Sequence, residues 1–279
     1  MEQKENILQV DIEQIIKAKS EKLHRLLPRF IINYIRRIIH EDEVNDILKR
    51  YHGYNGIDFA NGLMKEFNVT FNVHNEEKIP VSGRQIIACN HPLGGFDGLA
   101  LISLISRHRK DIKFPVNDFL MHVPNLTDIF IPINKTGRNH IELARQFDEI
   151  FESDDVILYF PAGICSRRIR GVIQDMEWKK TFIAKAKQFN RDIVPMYFNG
   201  RNSNFFYNLS NFRKKIGVKT NIEMAYLVDE LFNQKNSSYD VYIGDVINYE
   251  SITKDKSDYE WAQKIRQYVY SLGNTPPLH

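Results

Sequence analysis

The chain offers almost nothing for chemistry based on cysteine, metal or a membrane span. Only two of its 279 residues are cysteine, Cys89 and Cys165. Both lie in or beside apolar stretches, with no CxxC and no Cys/His spacing suited to zinc. This gives no disulfide framework and fits a reducing compartment. No run of about 18 apolar residues occurs, so no transmembrane helix is expected. The first residues, MEQKENILQVDIEQ, are acidic and polar and do not read as a signal peptide. Neither sign of charge dominates: 38 Lys and Arg face 35 Asp and Glu, a net charge of +3 that gives no argument for nucleic acid. No G-x-S-x-G elbow is present, which argues against a serine hydrolase of that type. Repeats and low-complexity tracts are also missing.

What remains is an ordinary globular composition, 43% hydrophobic and 26% charged. Residues 8–66 read as helical. Leu23, Leu26, Leu27, Phe30, Ile31, Tyr34, Ile35, Ile38 and Ile39 recur at steps of three and four. Pro28 divides this stretch into two helices. Glu41–Arg50 and Ile57–Phe67 read as further short helices. From Phe67 the pattern changes to apolar runs of strand length: 67–73, 85–89, 129–133, 156–160, 193–198, 222–228 and 239–243. Helical segments at 99–106, 141–151, 177–189 and 259–272 lie between or after them. This alternation predicts an α/β fold, a mostly parallel sheet flanked by helices. The expected division is an N-terminal helical extension over 1–66 and an α/β domain over 67–279.

The segment that carries chemistry runs from Ile86 to Gly98. A hydrophobic strand enters a turn at His91. Pro92, Gly94 and Gly95 then favour a tight loop, and Asp97 falls where the next helix begins. Such a loop can bring Asp97 back to one imidazole nitrogen, fixing the tautomer and stabilising the protonated ring. The other nitrogen is then free to take a proton from a hydroxyl, work suited to a histidine of pKa ~6.5. On spacing alone a plainer reading stands beside this one, in which His91 ends the strand and Asp97 caps the helix.

Asn90, His91, Asp97 and Gly98 resemble the first block of the glycerolipid acyltransferase superfamily, the group of the lysophosphatidate acyltransferases. Five residues separate His91 from Asp97 where that superfamily usually has four. The variant is similar to the hemolysin-like bacterial branch, which includes O-acyltransferases of ornithine- or glycine-lipid synthesis. Ile131–Arg138, Phe160–Arg167, Ile193–Met196 and Gly200–Ser203 resemble later blocks, in order, across residues 84–245. The third block departs from the pattern: Ala162 stands for Glu, Ile164 for Thr and Cys165 for Arg. Arg167 and Arg168 follow closely and could replace the missing cation. The change turns the expectation from a lysophosphatidate acceptor toward one with a carboxylate head group, such as a monoacylated amino acid.

The resemblance implies an O-acyltransferase that moves a fatty acyl group from an acyl-carrier-protein or coenzyme A thioester to a lysolipid hydroxyl. That thioester is a co-substrate, and no bound cofactor or metal is expected. His91 and Asp97 are the expected catalytic pair. Lys135, Arg138, Arg167 and Arg168 are candidates for holding the acceptor's anionic group, or else solvated surface. Gly163, Asn90 and Gly98 are candidate oxyanion or loop residues. Gly163 either aims backbone N–H groups at a developing oxyanion or simply permits a turn. Cys165 reads as buried and inert. Trp178 reads as core or acyl-tunnel lining, and the other histidines, including His122 and His140, as surface or packing.

Lys17, Lys19, Lys22, Arg25, Arg29, Arg36 and Arg37 face a single acid, Glu21, between residues 17 and 37. Bases opposite an apolar stripe suit an interfacial helix on anionic lipid, or a packed helix with a solvated basic face. The expected partners are therefore a membrane surface, a lipid acceptor and an acyl carrier protein, without nucleic acid. The expected place is the cytoplasm, peripheral on the inner face of the cell membrane. Two other functions compete: a non-catalytic lipid or acyl-carrier-protein binder, and a thioester or ester hydrolase.

Overall fold

The structure, a computed structural model, describes residues 9–116, 123–133 and 140–273. Helix α1 (Ile12–Lys19) starts at Asp11, whose carboxylate accepts the N–H groups of Glu13 and Gln14 at 3.0 Å. Helix α2 (Glu21–Leu26) stops short of Pro28, and α3 (Arg29–Ile38) restarts with that proline as its N-cap. Helix α4 (Glu41–Arg50) carries three acids in its first turn and Lys49 and Arg50 in its last, a distribution that complements the helix dipole. Helix α5 (Gly56–Glu66) follows.

The strands are β1 (Thr70–His74), β2 (Gln85–Cys89), β3 (Ile112–Val116), β4 (Phe130–Pro132), β5 (Val156–Tyr159), β6 (Arg167–Ile169), β7 (Val172–Gln174), β8 (Asp192–Phe198) and β9 (Ser238–Ile243). Seven of them form one sheet in the order β1-β9-β8-β2-β5-β3-β4. Every neighbouring pair is parallel except β8–β9. The remaining helices are α6 (Phe96–Ile105), α7 (His140–Glu152), α8 (Thr181–Gln188), α9 (Asn204–Lys215), α10 (Leu227–Phe232) and α11 (Asp258–Leu272). The fold is thus α/β, with a mostly parallel sheet flanked by helices.

Burial explains the continuous apolar runs. All five residues of β2 are buried, as expected for a central parallel strand covered on both faces. On one face Ile86, Ala88, Ile157 and Ile193 pack with Trp178, with Phe182 of α8, and with Ile265 and Val269 of α11. Apart from Asp97 and Ser103, helix α6 is apolar on every side, and all ten of its residues are buried. Helix α5 packs against it.

The chain divides into two compact units. One is α/β, Asn55–Asn202 with the residues from Lys235 onward; the other is helical, the described residues up to Tyr54 with Ser203–Gln234. The division therefore falls at Tyr54 rather than near residue 67, because α5 belongs with α6. A later segment also joins the helical unit. Within that unit Ser203 caps α9 by accepting the Phe206 N–H at 3.2 Å, and its own N–H donates to Glu230 at 2.7 Å.

One expected strand is not there. Residues 222–228 form a 3₁₀ turn, Ile222–Tyr226, that runs into α10. Glu223 is the reason: its buried carboxylate accepts from Arg213 at 2.5 and 3.0 Å and from Ser210 at 3.1 Å, which draws the segment onto α9. An extended strand would expose that charge partner. Strand β3, helix α9 and the β6–β7 hairpin were not expected from the sequence. The hairpin turn is Arg170-Gly171, with φ of 48° and 87°, the left-handed pair that a tight two-residue hairpin requires.

Candidate active site

Strands β5, β2 and β8 are adjacent and parallel, so their carboxyl ends emerge on one edge of the sheet. That edge is where open parallel sheets place ligands. His91 lies just past β2, Phe160 just past β5, and Phe198 ends β8. Asn90 locks the first of these ends to the third. Its amide donates to the Phe198 carbonyl at 3.0 Å and accepts the Phe198 N–H at 2.7 Å.

The loop after His91 folds back on itself. Asp97, in the first turn of α6, accepts from Leu93 N–H at 2.9 Å, Gly94 at 3.3 Å, Gly95 at 3.1 Å and Gly98 at 3.0 Å. The same carboxylate lies 3.0 Å from His91 Nδ1. Nε2 has no hydrogen-bond partner among the described residues. One face of the imidazole stacks on Phe160, with centroids 4.1 Å apart and planes at 16°. Phe114 meets Phe160 edge-on at 5.3 Å. Gly98 lets Phe114 approach: a Cβ there would stand 2.8 Å from Phe114 Cε1.

Electrostatics poise the pair. Burial alone would lower the His91 pKa, but the charge and hydrogen bond of Asp97, aided by Asp175, outweigh it and the net shift is upward. Burial alone would raise the Asp97 pKa. The His91 charge and hydrogen bond, with the Leu93 and Gly94 N–H groups, reverse this and hold it below the usual carboxylate range. The arrangement therefore favours a carboxylate beside an imidazole that holds a proton readily. Such a ring is suited to take a proton from a hydroxyl at Nε2 and to give it back.

A second buried acid supports the loop from behind. The Asp175 carboxylate accepts the backbone N–H of His91 at 3.2 Å, Ser166 Oγ–H at 2.6 Å and Trp178 Nε1–H at 2.9 Å. Ser166 N–H also donates to the His91 carbonyl at 2.7 Å. Tyr270 accepts the Asp175 N–H at 2.6 Å, and Arg266 donates to the Asp175 carbonyl at 2.7 Å. One carboxylate thus joins the His91 loop to the 160–167 segment. Burial pushes its pKa upward against the Ser166 and Trp178 hydrogen bonds.

The acyltransferase family model matches residues 14–276. This chain belongs to the acyltransferase family. Two curated relatives, from Bacteroides thetaiotaomicron and Phocaeicola vulgatus, are each named lyso-glycine lipid O-acyltransferase. Each is 40% identical over 269 residues, covering 96% of this chain and 99% or 96% of the relative. Among solved structures, the 1-acyl-sn-glycerophosphate (LPA) acyltransferase PlsC of Thermotoga maritima aligns with 12% identity and a TM-score of 0.48, over 89% of this chain and 91% of that one.

In this acyltransferase the other expected site residues fall in several places. Arg167 is buried at the start of β6, donating to the Cys165 carbonyl at 2.8 Å and to its Sγ at 2.9 Å. Its charge is close enough to oppose protonation of His91. Arg168 is half-buried on the same strand. Lys135, Arg138 and His122 lie outside the described residues, as does the side chain of His140. The Gly163 N–H donates to the Phe160 carbonyl at 3.0 Å, so Gly163 is a turn residue whose own amide is already engaged. Its φ is +70°, and a Cβ there would stand 2.6 Å from Lys179 Nζ. Asn90 acts as the β2–β8 tie, and Gly98 makes room for Phe114.

Cys165 is buried and its thiol is pushed up to about 11, burial outweighing the nearby Arg167. An inert cysteine fits that environment. Trp178 is core, with its indole N–H spent on Asp175. Asn202 donates weakly to the Pro92 and Leu93 carbonyls at 3.5 Å, which sets the 200–202 segment against the His91 loop. Sequence reasoning missed Asp175 and Lys179. The stretch Asp175-Met176-Glu177-Trp178 reads as the start of a helix, which in the structure begins only at Thr181, and only Trp178 hinted that something there is buried.

Proposed function

We propose that this acyltransferase moves a fatty acyl group from an acyl-carrier-protein or coenzyme A thioester to the hydroxyl of a monoacylated lipid, with a glycine-type lysolipid as acceptor. The observation that carries the reading is the His91–Asp97 pair at the carboxyl edge of the sheet. The names of the two relatives support the acceptor. In the proposed reaction His91 Nε2 takes the acceptor's proton as its oxygen attacks the thioester carbonyl. Asp97 stabilises the imidazolium. The C–S bond then breaks, the leaving thiolate recovers the proton from His91, and an ester remains. Arg167, Arg168 and Lys179 are the candidate cations for meeting an acceptor carboxylate.

The lipid substrate requires the enzyme to reach a bilayer, and we place it on the inner face of the cell membrane, in the cytoplasm. No helix among the described residues is long and apolar enough to cross a membrane. The exposed cations Lys17, Lys22, Arg25, Arg29 and Arg37 support a peripheral attachment. Arg36 is turned inward, 3.0 Å from Glu13 and 3.4 Å from Glu41.

The test is an assay of purified protein with a glycine lysolipid and either donor, read by lipid mass spectrometry. The expected product is the O-acylated lipid, formed only with acceptor present and lost in His91→Ala. Free fatty acid without acylated acceptor would instead make the protein a hydrolase.

A further inference from the structure

Helix α9 has two apolar faces and needs only one of them for the core. Phe206, Tyr207, Ser210 and Arg213 are buried. Phe205, Phe212 and Ile216 stand seven and four residues apart, along the other side, and are exposed by 51%, 59% and 57%. Helix α3 repeats the pattern, and the exposed Leu26 at the end of α2 extends its outward side. Ile32 and Ile38 turn inward, while Leu26, Phe30 and Tyr34, spaced by four, turn outward. Tyr226 connects the two outward faces within the helical unit. Its hydroxyl lies 2.6 Å from that of Tyr34, and its ring meets Phe205 at 4.9 Å and 70°. The patch is thus shared by α3 and α9.

Its charges have one sign around α9. From Ser203 to Ile222 the exposed charges are Lys214, Lys215 and Lys219, and no acid occurs in that stretch. The next acid, Glu223, is buried against Arg213. Lys22, Arg29 and Arg37 add exposed cations near the α2–α3 stripe, and Arg37 lies 5.1 Å over the Tyr34 ring. A two-fold contact between copies would bring these like charges together. An anionic bilayer supplies what the patch lacks: apolar depth for the aromatic side chains and negative head groups for the lysines.

We propose that α9 and the turn after it, residues 203–222, form a second lipid-docking face that works jointly with α3 and inserts Phe205, Phe212 and Ile216 into an anionic bilayer surface. This rests on the peripheral attachment proposed above and assigns it to a segment remote in sequence from the basic N-terminal helices.

The full-length protein is sedimented with vesicles of phosphatidylcholine alone or mixed with phosphatidylglycerol. Wild type should bind the mixed vesicles. The triple variant Phe205→Ser, Phe212→Ser, Ile216→Ser should bind them at least ~10-fold more weakly with unchanged circular dichroism. Lys214→Glu, Lys215→Glu, Lys219→Glu should lose the preference for anionic lipid. A second readout uses Phe212→Trp. The native tryptophans, Trp178 and Trp261, are buried, so quenching of new fluorescence by brominated acyl chains reports insertion at 212. If wild type ignores all vesicles, peripheral attachment itself fails. If wild type binds but the triple variant binds equally well and position 212 is not quenched, attachment stands and the α9 face is overturned. A dimer that dissociates in the triple variant, with vesicle binding unchanged, also overturns it by assigning the face to a second copy.

Discussion

Helices α3 and α6 are both ten residues long, and each draws half or more of its residues from large apolar types, isoleucine and phenylalanine in α3 and leucine, isoleucine and phenylalanine in α6, yet they are used in opposite ways. Every residue of α6 is buried, including Asp97, whereas α3 buries only Ile32 and Ile38. The units to which they belong differ in the same sense. Among the described residues, large exposed apolar side chains concentrate in the helical unit, at Ile15, Leu26, Phe30, Phe205, Phe212 and Ile216, while Val81 is the main exception in the α/β unit. Burying a side chain such as Phe30 is worth about 1.5–3 kcal/mol, and the helical unit forgoes that repeatedly. The α/β unit spends its apolar residues on holding a carboxylate and an imidazole 3.0 Å apart. The helical unit leaves its own facing outward. Precision of a reacting pair calls for a filled core, and an outward surface does not.

The largest expected effect lies in the α/β unit. His91→Ala should reduce acyl transfer by about 10²–10⁴-fold while circular dichroism stays native. Near-native turnover on a working substrate would remove the general base and, with it, the catalytic half of the comparison.

Asp97→Asn should be nearly as damaging to turnover and should also move the pH profile. Transfer needs neutral His91, so activity should fall as pH drops through a His91 pKa that lies above the ordinary histidine value. Without the Asp97 charge that acid limb should move to lower pH. Stability follows the same signs. The raised His91 pKa stabilises the fold below the unfolded-state value and loses this as pH rises through the folded one. The lowered Asp97 pKa stabilises above the unfolded-state value and loses this as pH falls through the folded one. An unmoved acid limb in Asp97→Asn would show that the pair is not coupled as the geometry requires.

Asp175→Asn should have a smaller effect, about tenfold in kcat, with the acid limb moved slightly downward and KM little changed. Asp175 positions His91 through its backbone and also raises its pKa by charge. A purely structural role would lower stability without moving the pH profile.

The last prediction sets one unit against the other by thermal melting. Phe96→Ala, in the filled α6 core, should cost about 3–5 kcal/mol. Phe212→Ser, on the outward face of α9, should stay within about 0.5 kcal/mol. Equal losses would mean that the outward face is part of a folded core after all.

The sequence made the catalytic loop legible because its parts are local. From Ile86 to Gly98, a strand, a glycine turn and a helix start follow one another, and each obeys short-range rules. Strand β2 and helix α4 therefore have the same bounds in the sequence and in the structure. Residues 222–228 misled for the converse reason. Their apolar content suits a strand, but the decision was made by a buried pairing of Glu223 with Arg213 on another helix.

By itself, then, the sequence determined the α/β alternation and the His91–Asp97 loop, with a gap short enough for turn chemistry to close. Tertiary structure alone decided that Asp175 holds His91 across 84 residues and that Asn90 ties β2 to β8 across 108. It also decided which apolar faces are filled. Periodicity states that one side of a helix is apolar, and it is silent on what that side meets. For α6 the answer is the core and for α3 and α9 it is the outside, because burial belongs to the packed whole and not to the spacing of residues.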